Sequence, residues 1–172
     1  MKVVSSYGVE IKKQNIPIRH TLYIYRQAVG YLIRVYEESW EELSQIVNLQ
    51  KRFNAAEHLV HSTKKNRARY DFDQKFPKMP SYLRRSAIQH ALGSVSSYET
   101  RLELWKQKKL DGKPKLVYEN HAMPVFYRDV MYKEAEDQAD IAFLKLYDGR
   151  DWKWFPVNLL HTDMEYLRKN WA

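Results

Sequence analysis

A change of hydrophobic pattern in the last third of the chain limits the folds that it can adopt. Before that change, apolar residues recur every three or four positions in two long runs, 22–47 and 88–105, which is the repeat of an amphipathic helix. A shorter helix is predicted at about 55–63. The second long helix should begin at 80–81, where a proline precedes a serine, and end near Lys108. The middle of the chain is therefore predicted to be helical.

The remaining sequence has the composition of β-strands. A strand is predicted at 2–13, where apolar and polar residues alternate loosely. β-branched and aromatic residues are concentrated in four later segments, 115–118, 125–132, 141–147 and 152–160. The dipeptide Asp148-Gly149 between the last two segments is typical of a hairpin turn.

These patterns predict an α+β fold in which the helices are inserted between strands. The N-terminal strand and the C-terminal strands would form a small antiparallel β-barrel, and the helices would form a bundle inserted into it. The predicted domains are residues 1–15 with 113–172 for the barrel and residues 16–112 for the helical insertion.

Positive charge is concentrated in the middle of the chain. The formal net charge is +8 at pH 7. Residues 51–115 contain 16 Lys and Arg against 6 Asp and Glu, a net of +10, whereas residues 1–50 carry +1 and residues 116–172 carry −3. A field concentrated in this way attracts a polyanion and releases its counterions on binding. Nucleic acid is therefore the expected partner, and no membrane is expected because no apolar run reaches the roughly 20 residues of a membrane span.

The candidate nucleic-acid contacts are cations and the aromatic residues beside them. Residues 64–69 contain four cations and Tyr70 follows, so that phosphates would be neutralised next to a ring that can stack on a base. Arg84 falls on the apolar face of its helix, where it should either extend past the edge of the core or meet an anion. The candidate binding residues are Lys64, Lys65, Arg67, Arg69, Tyr70, Lys75, Lys78, Tyr82, Arg84, Arg85, Lys106, Lys108, Lys109, Lys113 and Lys115. The alternatives are a solvated loop for the run at 64–69 and plain solubility for the lysines.

No motif in the sequence assembles a catalytic or metal site. His58 and His61 lie three residues apart, with Glu57 as the one further ligand nearby. The acidic residues at 134–140 fall in one short segment, whereas the carboxylates of a two-metal nuclease converge from separate elements. We therefore expect no catalytic residue, no metal and no cofactor. The absence of cysteine fits a reducing cytoplasm, which is the expected location.

One stretch of the sequence resembles a known family. Phe76–Ile88 (FPKMPSYLRRSAI), followed by Ala91–Val95 and Ser97–Tyr98, resembles the N-terminal half of TnpB/OrfB-type transposon proteins. Further matches in the family's order are Trp105, Gly112–Pro114, Met123–Tyr127, Met131–Tyr132 and Asp151–Trp154. The resemblance covers about 76–160 in its residues and 1–52 in its pattern alone.

The resemblance implies the binding part of an RNA-guided DNA nuclease. In that family a β-barrel wedge domain carries an inserted helical recognition domain, and the two hold the guide RNA, the heteroduplex and the DNA that flanks the target. The family's RuvC-like nuclease domain and its zinc ribbon of paired cysteines have no counterpart in this sequence. We therefore expect a transposon-encoded module that binds RNA and DNA and is not itself an enzyme. The alternatives are a non-catalytic protein-interaction or remnant domain, and the binding half of a split nuclease whose other fragment is encoded separately.

Overall fold

The structure is a computed structural model that describes residues 8–12 and 15–170. By their internal contacts, these residues separate into two compact units. Arg19–Val125 form the helical unit, and the residues up to Ile18 together with those from Phe126 onward form the sheet unit. The fold is α+β.

The helical unit is built from helices of very different length. They are α1 (Ile18–Glu38), α2 (Trp40–Ser44), α3 (Leu49–Val60), α4 (Phe72–Lys75) and α5 (Ser81–Lys106). The single helix predicted over 22–47 is interrupted at Ser39, whose φ of −101° and ψ of 10° lie outside the helical region. The N–H of Ser39 still bonds to Val35, and that of Leu43 bonds to Ser39, so the apolar period continues across the break. The sequence pattern therefore could not reveal the interruption.

Capping explains where the other helices begin and end. α3 begins at Leu49, earlier than predicted, because the side chain of Asn48 accepts a hydrogen bond from the N–H of Lys51 at 2.9 Å. α5 begins directly after Pro80, as predicted, and ends two residues before the predicted Lys108. The end is a Schellman motif, in which Lys108 has a positive φ of 57° and its N–H bonds to the carbonyl of Trp105.

Buried aromatic residues join α1 to α3 and α5. Tyr25 and Tyr36 of α1 are fully buried, and each has a polar partner on another helix. The hydroxyl of Tyr25 lies 2.9 Å from that of Ser86, and the hydroxyl of Tyr36 donates to the carbonyl of Ala56 at 3.2 Å. Burial raises the pKa of Tyr36 well above its usual value. These bonds offset the cost of burying two phenols and fix how the helices pack.

Residues 113–125 belong to the helical unit and not to the predicted barrel. They contain no strand, so the strand predicted at 115–118 is wrong. The segment is instead bonded to α1: the hydroxyl of Tyr118 donates to Glu37 at 2.6 Å, and the side-chain amide of Asn120 donates to the carbonyl of Arg26 at 3.2 Å. Strand composition cannot produce a strand where the backbone has no partner strand.

The sheet unit contains an antiparallel sheet in the order β1 (Tyr132–Glu134), β2 (Ile141–Tyr147) and β3 (Trp152–Asn158). The prediction of β2 is confirmed, and so is the hairpin turn after it, where the carboxylate of Asp148 accepts the N–H groups of Arg150 and Asp151 at 2.8 Å. β3 ends two residues before the predicted 160. One face of the sheet packs against α6 (His161–Asn170), a helix that was not predicted.

The predicted barrel is not closed in the described residues, where the sheet is open and has three strands. Of the strand predicted at 125–132, Tyr132 alone belongs to β1. Residues 129–131 form a turn, in which the carbonyl of Tyr127 accepts the N–H groups of residues 130–132. Of the strand predicted at 2–13, residues 2–7 and 13 lie outside the described residues. Ile11 forms an isolated antiparallel bridge with Leu159. No helix among the described residues is long and apolar enough to cross a membrane.

Candidate nucleic-acid interface

The two arginines at the start of α5 lie beside carboxylates of the same unit. Arg84 is 8% exposed, with Nη1 3.4 Å from Asp73 Oδ1 and Nη2 3.7 Å from Glu57 Oε1. Its Nε is buried without a hydrogen-bond partner among the described residues. Arg85 is about half exposed, lies 3.9 Å from the other oxygen of Glu57 and stacks over Phe53. The sequence left two outcomes open for Arg84: its side chain could extend past the edge of the core or meet an anion. In the structure it meets an anion, namely the carboxylates of Asp73 and Glu57 in the same chain.

Of the two histidines that the sequence offers as metal ligands, His61 contacts one of the same carboxylates. Nδ1 of His61 lies 2.6 Å from Asp73 Oδ2, so Asp73 contacts both His61 and Arg84. His58 is exposed. Among the described residues, no group of three or more His, Asp and Glu side chains is arranged to hold a metal ion.

The basic run between α3 and α4 divides into two parts. The backbones of Thr63 and Asn66 bond to each other in a tight turn, with Lys64 and Lys65 exposed at its tip. Arg67 is exposed as well, whereas Arg69 forms a bidentate pair with Glu42 at 2.8 and 3.2 Å. Tyr70 also bonds to a nearby carboxylate, since its hydroxyl donates to Glu38 at 3.3 Å. The tip is therefore open to an external anion, and Arg69 with Tyr70 binds the loop to α1 and α2.

The cations at and beyond the end of α5 are exposed to solvent. Lys106 makes a loose pair with Glu103 at 3.8 Å, and Lys113 lies over the ring of Trp105. Three further lysines there, Lys108, Lys109 and Lys115, form no ion pair with any described residue. Lys78 and Tyr82 are also exposed, just before and within the first turn of α5.

A groove along α1 brings together cations and tyrosines that the sequence did not associate. It has a volume of about 750 Å³, and its wall is completed by α4 and residues 117–121. The charged side chains that line it are Arg26, Arg34 and Lys75, with Glu119 as the carboxylate. Of these, Lys75 was a candidate binding residue. The groove also contains three tyrosines, Tyr23, Tyr31 and Tyr118.

Two of the three cations of the groove lie over its rings, and the third, Arg26, donates to the carbonyl of Ala122 at 3.2 Å. Nζ of Lys75 is 4.7 Å from the ring centroid of Tyr31, and the guanidinium of Arg34 is 5.0 Å from that of Tyr118. The hydrogen bond to Glu37 raises the pKa of Tyr118, and partial burial raises that of Tyr31. Both phenols are therefore neutral at physiological pH, and the groove keeps its positive character.

Gly30 allows the groove to form. A Cβ at this position would lie 2.6 Å from the carbonyl oxygen of Tyr118, so no other residue fits beneath the 117–121 segment without displacing it. A glycine inside a helical pattern was the sequence signal for this close approach. Arg26 and Arg34 carried no such signal, because isolated arginines on an amphipathic helix are commonplace.

The fold and the groove define an α+β protein whose helical unit presents cations and aromatic rings to an open cleft. A family model described as the Aq_aa04 family matches residues 5–148. The chain therefore belongs to the Aq_aa04 family. Comparison with curated proteins and with solved structures found no match.

Proposed function

We propose that this protein is a nucleic-acid-binding module for structured RNA or an RNA–DNA hybrid. It would contact the phosphate backbone of the nucleic acid and recognise the shape of the double strand, not its sequence. The observation that carries the proposal is the α1 groove, which is lined by the cations Arg26, Arg34 and Lys75, by three tyrosines and by the carboxylate of Glu119. A second carboxylate, that of Glu37, accepts the hydroxyl of Tyr118, so cations exceed carboxylates by three to two. Guanidinium and ammonium groups neutralise phosphates, and exposed rings stack on bases or sugars that are not fully paired.

The exposed lysines of the helical unit support the same function. The turn with Lys64 and Lys65 and the lysines beyond α5 present positive charge to solvent without strong intramolecular pairing. Charges of this kind increase the rate of encounter with a polyanion and add phosphate contacts of low sequence preference. Arg69, Arg84 and Arg85, which pair with carboxylates of the chain, contribute less to this field than the sequence suggests.

The wider identity expected from the sequence is part of the proposal. The ordered matches between 76 and 160 support a binding module of a TnpB/OrfB-like system that works in the cytoplasm and lacks nuclease activity of its own. The bridge between Ile11 and Leu159 is the kind of contact that a wedge-like barrel would require. A separately encoded nuclease fragment would be the protein partner in the split-enzyme form of this proposal.

The test is a binding titration with labelled RNA hairpins, RNA–DNA hybrids and duplex DNA at several salt concentrations. The variant Arg34→Gln/Lys75→Gln removes two cations of the groove, and Arg150→Gln, an exposed arginine of the hairpin turn, is the control. We expect the groove variant to weaken hairpin and hybrid binding at least tenfold and to reduce the salt slope by roughly one for each phosphate that is no longer neutralised. The control should bind as the wild type does.

Two results would overturn the proposal. Affinity that does not change with salt would exclude a phosphate-based interface, and wild-type binding by the groove variant would exclude the groove. If the protein binds none of the probes even at low salt, the protein-interaction or remnant alternative is favoured instead.

A further inference from the structure

The face of the sheet that points away from α6 combines lysines with aromatic rings. Tyr132, Ala142 and Val157 point to the α6 side and are buried there. Because side chains alternate along a strand, the opposite face carries Lys133 of β1, the odd-numbered residues of β2 and the even-numbered residues of β3. This second face, the Lys–Trp face, contains Lys133, Ile141, Phe143, Lys145, Tyr147, Trp152, Trp154, Pro156 and Asn158.

Two ammonium groups converge on one indole ring at the centre of this face. Nζ of Lys133 lies 4.9 Å from the ring centroid of Trp154 and 5.5 Å from that of Phe143. Lys145 lies opposite Trp154 in the pairing of β2 with β3, and its Nζ is 5.9 Å from the centroid of the same indole. The next pair along the face, Tyr147 and Trp152, has ring centroids 5.4 Å apart.

No acidic residue belongs to the Lys–Trp face as defined above. Neither Lys133 nor Lys145 forms an ion pair with a carboxylate of the described residues. Glu134, the neighbour of Lys133, points to the other side of the sheet, where it contacts Arg128 at 3.1 Å and Arg168 at 3.8 Å. Two like charges near one ring repel each other, so an anion placed between them would be favoured. Lys133, Pro156 and Asn158 are exposed, so such an anion has access.

We propose that the Lys–Trp face binds an unpaired strand of nucleic acid. This rests on the proposed function, and it adds a second site on a unit where no binding residue was expected. Trp154 would stack on a base, and Lys133 and Lys145 would contact the flanking phosphates. An unpaired strand fits better than a duplex, because a ring on a flat sheet reaches the face of a base only when that base is unstacked. An acidic peptide would use the lysines but would leave the aromatic rings without a matching surface.

The experiment measures binding of a fluorescein-labelled oligo-dT of about 12 nucleotides, within the site size of a single-strand-binding surface, and of a labelled RNA hairpin to the full chain. The variants are Trp154→Leu, which removes the π-surface, Trp154→Phe, which keeps a ring, and Lys133→Gln/Lys145→Gln. The matched control is Lys153→Gln, on the same strand but the opposite face, where Lys153 pairs with Asp148 at 2.6 Å. Thermal melting of each variant verifies that it is folded.

We expect Trp154→Leu to weaken oligo-dT binding roughly 5- to 150-fold, the range that loss of one base stack predicts. Trp154→Phe should retain most of the affinity and should reduce the quenching of tryptophan fluorescence that oligo-dT causes. The double lysine variant should reduce the salt slope by roughly 0.7 for each phosphate of the single strand that is no longer neutralised. Lys153→Gln should bind as the wild type does.

The outcomes separate this inference from the function on which it rests. If the hairpin binds with the expected dependence on the groove while Trp154→Leu and the double lysine variant bind oligo-dT normally, the Lys–Trp site is excluded and the proposed function stands. If neither probe binds the wild type, both are excluded. If polyglutamate competes as well as oligo-dT and Trp154→Leu has no effect, the face is a general anion-binding surface and the inference is wrong.

Discussion

The two ends of α5 are both basic in the sequence, but they differ in burial and in ion pairing. At its start, the guanidinium of Arg84 is almost fully buried between Asp73 and Glu57. Beyond its end, Lys108 and Lys109 are exposed and form no ion pair with a described residue. The same kind of charge therefore supports the fold at one end and is available to an external anion at the other.

The difference follows from burial. A charge taken out of water loses a large hydration energy, so a buried guanidinium requires carboxylates close by. A charge that stays in water gains little from a partner, and the loose pair of Lys106 with Glu103 is of this weak kind. Counting cations along a sequence therefore overestimates the charge that a ligand meets.

Replacing Arg84 tests the buried end and should have the largest effect on stability. Arg84→Met leaves Asp73 and Glu57 without their shared cation, and we expect the free energy of unfolding to fall by about 3 kcal/mol. Arg85→Met, next to it but half exposed, should cost less than about 1 kcal/mol. Urea titration of both variants measures the contrast, and equal losses would show that the two arginines have the same role.

Neutralising Glu57 should have an intermediate effect. Glu57 lies within 4 Å of Arg84 and Arg85, so Glu57→Gln removes the charge that both arginines face. We expect a loss of about 1–2 kcal/mol, because both pairs with Glu57 are long and Arg84 keeps Asp73 as a partner at 3.4 Å. A double-mutant cycle with Arg84→Met should give a coupling energy of at least about 0.5 kcal/mol. Strict additivity would mean that the two side chains do not interact.

Lys108→Gly should stabilise the other end of α5 while removing a charge. Lys108 has a left-handed backbone, with φ 57°, which glycine adopts without steric cost. We expect the free energy of unfolding to rise by about 0.5–1 kcal/mol in thermal or urea unfolding. Lys108→Asn removes the same charge with a residue that tolerates this conformation, so it separates the backbone effect from the loss of charge.

Removing the exposed lysines together should have the smallest effect on stability. Lys106→Gln/Lys109→Gln/Lys115→Gln should change the free energy of unfolding by no more than about 0.5 kcal/mol. The same variant should bind an RNA hairpin more weakly, with a salt slope reduced by about one for each phosphate that is no longer neutralised. Unchanged affinity in salt titrations would show that this end of α5 serves solubility alone.

The sequence predicted the elements whose signals are local. The start of α5 at Ser81, the strand at 141–147 and the turn at Asp148-Gly149 each depend on residues a few positions apart, and the structure has all three. α6 was missed because its ten residues are mostly polar and only two residues separate them from the end of β3. The strand predicted at 115–118 failed because composition does not supply a pairing partner.

For the candidate interface, the sequence determined the amount and region of positive charge, and tertiary structure decided which charges reach solvent. Arg69 meets Glu42 and Arg84 meets Asp73 across 27 and 11 positions of sequence, and the groove joins Arg26 to Lys75. Periodicity describes one element at a time and carries no information on which faces meet. Burial and pairing are set when helices pack, because only then does a charge lose its water and need a partner.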